Sequence, residues 1–179
     1  MIIIHIDNES PDAAILSRIY DGLDGNIVYY NRSKNNIKRL LRITGNEPVM
    51  LLGHGTPRGL LNRKQDGFAV GSEMVEWLRN RPVIGIFCYA SEFADRYGLQ
   101  GFFTSMFISN MEEALVEHQE TGATDEVIAH QQELFCDRIR TLIENNTPLN
   151  QWPEILQSQA DWSIPFVRFN YEAMCYLDN

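Results

Sequence analysis

The chain has 179 residues, 44% hydrophobic and 22% charged, which is enough for one domain with a sizeable core. A formal net charge of -9 argues against a general phosphate-binding surface, because nucleic-acid affinity rests on clustered Lys and Arg. The opening MIIIHIDNES lacks the basic start and long apolar core of a signal peptide, and no stretch approaches the ~20 apolar residues of a membrane helix. The expectation is a cytoplasmic protein with neither nucleic-acid nor membrane partners.

In chain order, apolar runs alternate with amphipathic stretches, the pattern of an α/β domain. Ile2 to Ile6 is a short β-branched run and predicts a buried first strand, after which Ser10 or Asp12 can cap a helix reaching Leu23. Asn26 to Asn31 predicts a second strand and about Asn35 to Ile43 a helix. Five basic residues between Arg32 and Arg42 read as its solvated face. Val49 to Leu52 is a third strand, and the Asp66-Gly67 turn between two β-prone pieces predicts a small hairpin. Ser72 opens a helix striped by Met74, Val75, Trp77 and Leu78, and Val83 to Phe87 and Gly101 to Ser109 are the fourth and fifth strands. Glu112 to Asn145 predicts two helices, the second capped by Thr124, and Ile164 to Tyr171 a final strand. Strands joined by helices must be largely parallel, so the expected fold is a single three-layer α-β-α sandwich on a mainly parallel sheet of about six strands.

Two of these strands stop at reactive side chains. VMLLGHG ends at His54 and VIGIFC at Cys88, in a chain with only four His and three Cys. In an open parallel sheet, ligands meet the loops beyond the carboxyl ends of the strands, where both residues fall. A thiol of pKa about 8.5 is mostly protonated at neutral pH, and an adjacent imidazole can take its proton or protonate a leaving amine. The backbone N–H groups of Gly55 and Cys88 would supply an oxyanion hole. Taken singly, Cys88 also fits a buried core thiol and His54 a turn histidine; the pair of strand ends favours chemistry.

These residues resemble the caspase-like cysteine peptidases (caspases, legumain, clostripain, gingipains, separase and bacterial relatives). In that family an apolar strand ends in His-Gly and a later one in the nucleophilic Cys. The resemblance runs in element order from Ile2 to Ser109 and implies His54 as general acid/base, Cys88 as nucleophile, a peptide or protein substrate and no cofactor. Phe87 and Tyr89 depart from it, since members usually carry small residues on either side of the Cys. That departure leaves room for an inactive caspase-like module that binds a peptide or protein partner.

Ser109, Asn110, Glu112 and Glu113 follow the fifth strand at the same edge and are candidates to meet the substrate, with a carboxylate favouring Arg or Lys; Glu112 and Glu113 equally suit the first turn of a helix. Cys88, Cys136 and Cys175 have no paired spacing, which suggests neither disulfides nor a metal knuckle. His118 and His130 lie 12 residues apart, with no ligand spacing, and His5 reads as a hydrogen-bonded core residue.

Overall fold

The computed structural model describes residues 1–7, 9–118 and 123–178. Its centre is a six-stranded sheet built from β1 (Ile2–His5), β2 (Ile27–Tyr30), β3 (Val49–Leu52), β7 (Val83–Ile86), β8 (Gly101–Phe103) and β9 (Cys175–Leu177), in the order β2-β1-β3-β7-β8-β9. The first five of these strands run parallel, and β9 closes the sheet antiparallel to β8. A second, three-stranded antiparallel sheet, β4 (Gly55–Thr56), β5 (Gly59–Leu61) and β6 (Phe68–Val70), contains the hairpin expected around Asp66-Gly67.

Every residue of β1, β3 and β7 is buried, as central strands covered on both faces require. Their side chains alternate between two cores. Ile3, Met50, Leu52, Ile84 and Ile86 face a 3-10 turn (Ile15–Ile19) and the helices α6 (Asp125–Glu144), α7 (Trp152–Ser158) and α8 (Pro165–Glu172). Ile2, Ile4, Val49, Leu51 and Val83 face α2 (Lys34–Ile43), α3 (Val75–Leu78) and α4 (Ala90–Tyr97). Helices therefore cover both faces of the sheet.

Several elements differ from expectation. Ile164 to Tyr171 is the helix α8, not a strand: Pro165 sits at its start, where a missing N–H costs nothing, and Phe166, Val167, Asn170 and Tyr171 recur on its buried side at helical spacing. The last strand is β9 instead. The fifth strand ends at Phe103, because the Thr104 hydroxyl takes the next bonds, accepting from the Phe87 N–H and donating to the Phe87 carbonyl. The first helix is broken into α1 (Pro11–Ala14) and the 3-10 turn, and that expected from Ser72 into a 3-10 turn and α3. Thr124 caps α6 as expected, its hydroxyl accepting from the Val127 N–H, while α5 (Met111–His118) precedes it; the interruption expected at Glu120 falls partly outside the described residues. No described helix is long and apolar enough to cross a membrane.

Candidate active site at the carboxyl ends of the strands

The constant register of the central strands builds the site. β3 pairs with β7 so that Val49 faces Val83 and Leu52 faces Ile86, an offset of 34 residues at each step. His54 and Cys88 are separated by the same 34, and each lies two residues beyond its strand. Two residues also preserve side-chain parity. Cys88 thus continues the face of Ile84 and Ile86, and His54 that of Met50 and Leu52. Both line one cavity with Asp12, Leu16, Phe107 and Phe135. It encloses about 470 Å³ counting its open mouth.

The register of β1 adds a residue that no sequence motif marks. His5 faces Leu52, an offset of 47, which sets Asp7 in the row of His54 and Cys88. Asp7 is held at φ 58°, with its N–H donating to Asn31 Oδ1 at 2.7 Å. Its Oδ2 lies 3.7 Å from His54 Nε2, and Asp12 Oδ1, from the first turn of α1, lies at the same distance. Ser10 Oγ is 3.3 Å from that nitrogen. The sequence offers Ser10 and Asp12 only as helix caps. The sequence signal for Asp7 is positional: like His54 and Cys88, it stands two residues past a buried strand.

Cys88 occupies a sharp strand-to-helix turn. Tyr89 adopts the left-handed conformation (φ 64°) and α4 starts at Ala90. The Cys88 thiol donates to the Phe107 carbonyl at 3.8 Å. Burial pushes it up to about 11, and the charges of Glu113 and Asp12 act in the same direction, so the resting sulfur is a neutral thiol. Cys136 lines the same cavity fully buried, pushed up to about 12 by burial.

Phe87 turns to the opposite face. Its ring packs in the other core, 6.1 Å from that of Phe93, and lies against Gly55, where an added Cβ would come within 2.1 Å of the ring. A bulky residue before Cys88 is therefore compatible with an open site, because Gly55 leaves the room it needs. The contact also brings the Gly55 backbone beside the residue preceding Cys88, though Gly55 itself does not line the cavity.

The four residues expected to meet the substrate divide. Ser109 lines the cavity, beside Gln132, whose Nε2 donates to the Ser109 carbonyl at 3.1 Å. Asn110, Glu112 and Glu113 line a separate recess with Val116. Glu113 is engaged at the start of α5: its Oε2 accepts from the Ser109 N–H and hydroxyl, and its N–H donates to Asn110 Oδ1. Glu112 is exposed. These are the bonds of a helix start, and they leave Asp12 as the carboxylate that lines the cavity.

His5 is the core residue expected, fully buried, with Nδ1 2.7 Å from the Tyr20 hydroxyl and Nε2 3.0 Å from the Ala13 carbonyl. His130 is exposed on α6, and the His118 side chain lies outside the described ones. Among the described residues there is no cluster of three metal-ligating side chains.

Comparison of the chain with models of known families, with curated proteins and with solved structures finds no match.

Proposed function

We propose that the chain is a cysteine-dependent hydrolase of caspase-like fold that cleaves peptide or related acyl bonds, with Cys88 as nucleophile and His54 as general acid/base. The observation that carries this reading is the placement of His54 and Cys88 on one face, two residues beyond adjacent parallel strands, lining a single cavity. The chemistry follows from a neutral thiol. As the Cys88 sulfur forms its bond to the substrate carbonyl carbon, its proton passes to the imidazole and the carbonyl oxygen becomes an oxyanion. The N–H groups of Cys88 and Gly55 are the donors assigned to that oxygen. When the tetrahedral species collapses, the imidazolium gives its proton to the leaving amine, and water activated by the same imidazole then hydrolyses the thioester.

The cavity walls suit a short apolar side chain, with Leu16, Phe107 and Phe135 around it and Asp12 as its acidic group. A preference for Arg or Lys would accordingly depend on Asp12 and not on Glu112 or Glu113.

A second reading, a caspase-like module that binds a peptide without cleaving it, is favoured by one observation: the half-buried Cys88 thiol, pushed up to about 11 and bonded to the Phe107 carbonyl. Iodoacetamide separates the two. The hydrolase reading expects Cys88 to react faster than half-buried Cys175, and His54→Ala to slow Cys88 by about 100-fold, the contribution of a positioned base. Cys88→Ala should abolish hydrolysis in a mixed peptide library with the fold intact. Alkylation of Cys88 no faster than of Cys175, indifferent to His54→Ala, favours the module.

A further inference from the structure

His54 has two ring nitrogens, and the bonds around one of them assign both. Ser10 has a single hydroxyl proton. Its Oγ lies 3.0 Å from the Asp7 carbonyl, which can only accept, so the proton is spent there. Toward His54 Nε2, at 3.3 Å, Ser10 Oγ is therefore an acceptor. The other groups facing Nε2 are the carboxylates of Asp7 and Asp12, each at 3.7 Å, and these also accept. Ser10 Oγ is the one acceptor at hydrogen-bond distance, and the two carboxylate oxygens at 3.7 Å favour a positive hydrogen on the same nitrogen, which together place the proton on Nε2. The lone pair of the neutral ring is then on Nδ1.

We propose that Asp7, Ser10 and Asp12 form a carboxylate clamp that holds His54 as the Nε2–H tautomer, leaving Nδ1 to exchange the proton with Cys88. The assignment deepens the hydrolase reading and rests on it for the identity of the proton donor. Asp7, Ser10 and Asp12 are positioning residues, since they act through the imidazole. Their side chains are largely enclosed, Asp7 14% and Asp12 24% exposed, with His54 also 24%. Among the described residues no Lys or Arg lies within ion-pair distance of either carboxylate; the neighbouring Arg63 pairs with Glu9. An imidazolium at His54 is thus the cation for both. When Nδ1 takes the proton from the Cys88 sulfur, a positive charge forms next to two fixed negative ones, so the clamp stabilises the state in which the thiol has been deprotonated. Asp7 is suited to this because the sheet sets it: it continues β1 in the row of His54 and Cys88, and its N–H is tied to Asn31.

The carboxylates have opposite effects on the two partners, which gives the test its sign. The Asp12 charge disfavours the Cys88 thiolate directly, as does that of Glu113. It favours the same deprotonation when His54 is there to hold the proton. The experiment measures iodoacetamide alkylation of Cys88 in the full chain across pH, for Asp7→Asn/Asp12→Asn in the native and the His54→Ala backgrounds, with Cys175 as the internal reference. Asn is isosteric and tolerates the left-handed conformation of residue 7. With His54 present, the double substitution should slow Cys88 by about tenfold, the scale of losing a charge-assisted contact. Without His54 it should leave the rate unchanged or raise it. Nitrogen NMR of the native chain labelled with 15N-histidine, assigned with His54→Gln, should show the neutral His54 ring protonated on Nε2. A ring protonated on Nδ1 overturns the clamp, as does a rate change of the same sign in both backgrounds. Neither readout uses a peptide substrate. A chain that cleaves no peptide yet gives both expected results retains the clamp and loses the peptidase reading.

Discussion

At the amino end of the parallel strands, Met1, Asn26, Pro48, Pro82 and Trp152 border a recess of about 1260 Å³ counting open solvent, well over twice the size of the His54–Cys88 cavity. Among the described residues, no Cys or His lines it. Prolines precede β3 and β7, and Arg81, next to Pro82, spends its guanidinium on the Leu41 and Trp77 carbonyls and the Thr44 hydroxyl. At the carboxyl end the opposite holds: Asp7, Ser10 and Asp12 converge on His54, which shares a narrow, largely apolar cavity with Cys88. Volume alone does not make a site. A row of strand ends in common register does, because it delivers different chemistries to one place on rigid supports.

The contrast breaks if substitutions at the two ends have interchangeable effects. Trp152 is 2% exposed, packs 5.3 Å from the Phe102 ring, and donates its Nε1–H to the Thr147 carbonyl. Trp152→Ala is expected to cost about 3–5 kcal/mol in denaturant unfolding while leaving Cys88 alkylation in the folded chain unchanged. His54→Ala should do the reverse, with the large effect on alkylation and a small one on unfolding. Equal losses of stability in both variants would erase the distinction.

The buried histidine of β1 extends the contrast to pH. Burial pushes His5 down from 6.5 to about 4, so the unfolded chain binds a proton between these values that the folded chain refuses. Its contribution to stability is complete above pH 6.5 and is lost as the pH falls toward 4, amounting to about 3 kcal/mol. Unfolding free energies measured from pH 7 to pH 4 should fall accordingly, and His5→Gln should flatten that part of the curve. A slope untouched by His5→Gln would place the acid sensitivity elsewhere.

The fit between Gly55 and Phe87 gives a smaller effect. Gly55→Ala forces a Cβ within 2.1 Å of the Phe87 ring and should destabilise by about 2 kcal/mol. Phe87→Leu should recover a good part of this in the double variant, and a double-mutant cycle of zero coupling would show that the two residues do not contend for space. The smallest change is expected at the start of α5. Glu113→Gln should lower stability by about 1 kcal/mol through weaker bonds to Ser109 and, under the proposed hydrolase function, leave the cleavage preference unaltered. A changed cleavage preference would return Glu113 to the substrate site.

The sequence by itself determined the strand cores, the α/β alternation and the position of His54 and Cys88. Short β-branched runs bounded by turn residues have few alternatives to buried parallel strands, and a reactive residue directly after such a run must emerge at a sheet end. It did not determine α8, where Ile164 to Tyr171 has the composition of a strand. There the choice was made by Pro165 at a helix start and by a sheet whose edge beside β8 goes to Cys175–Leu177. Nor did it separate Glu113, which local bonds draw into a helix start, from Asp7, which lies near His54 only because β1 sits between β2 and β3. That neighbourhood joins residues 47 apart in the chain, and strand order and register across a sheet are set by packing both of its faces at once, a condition that local sequence does not express.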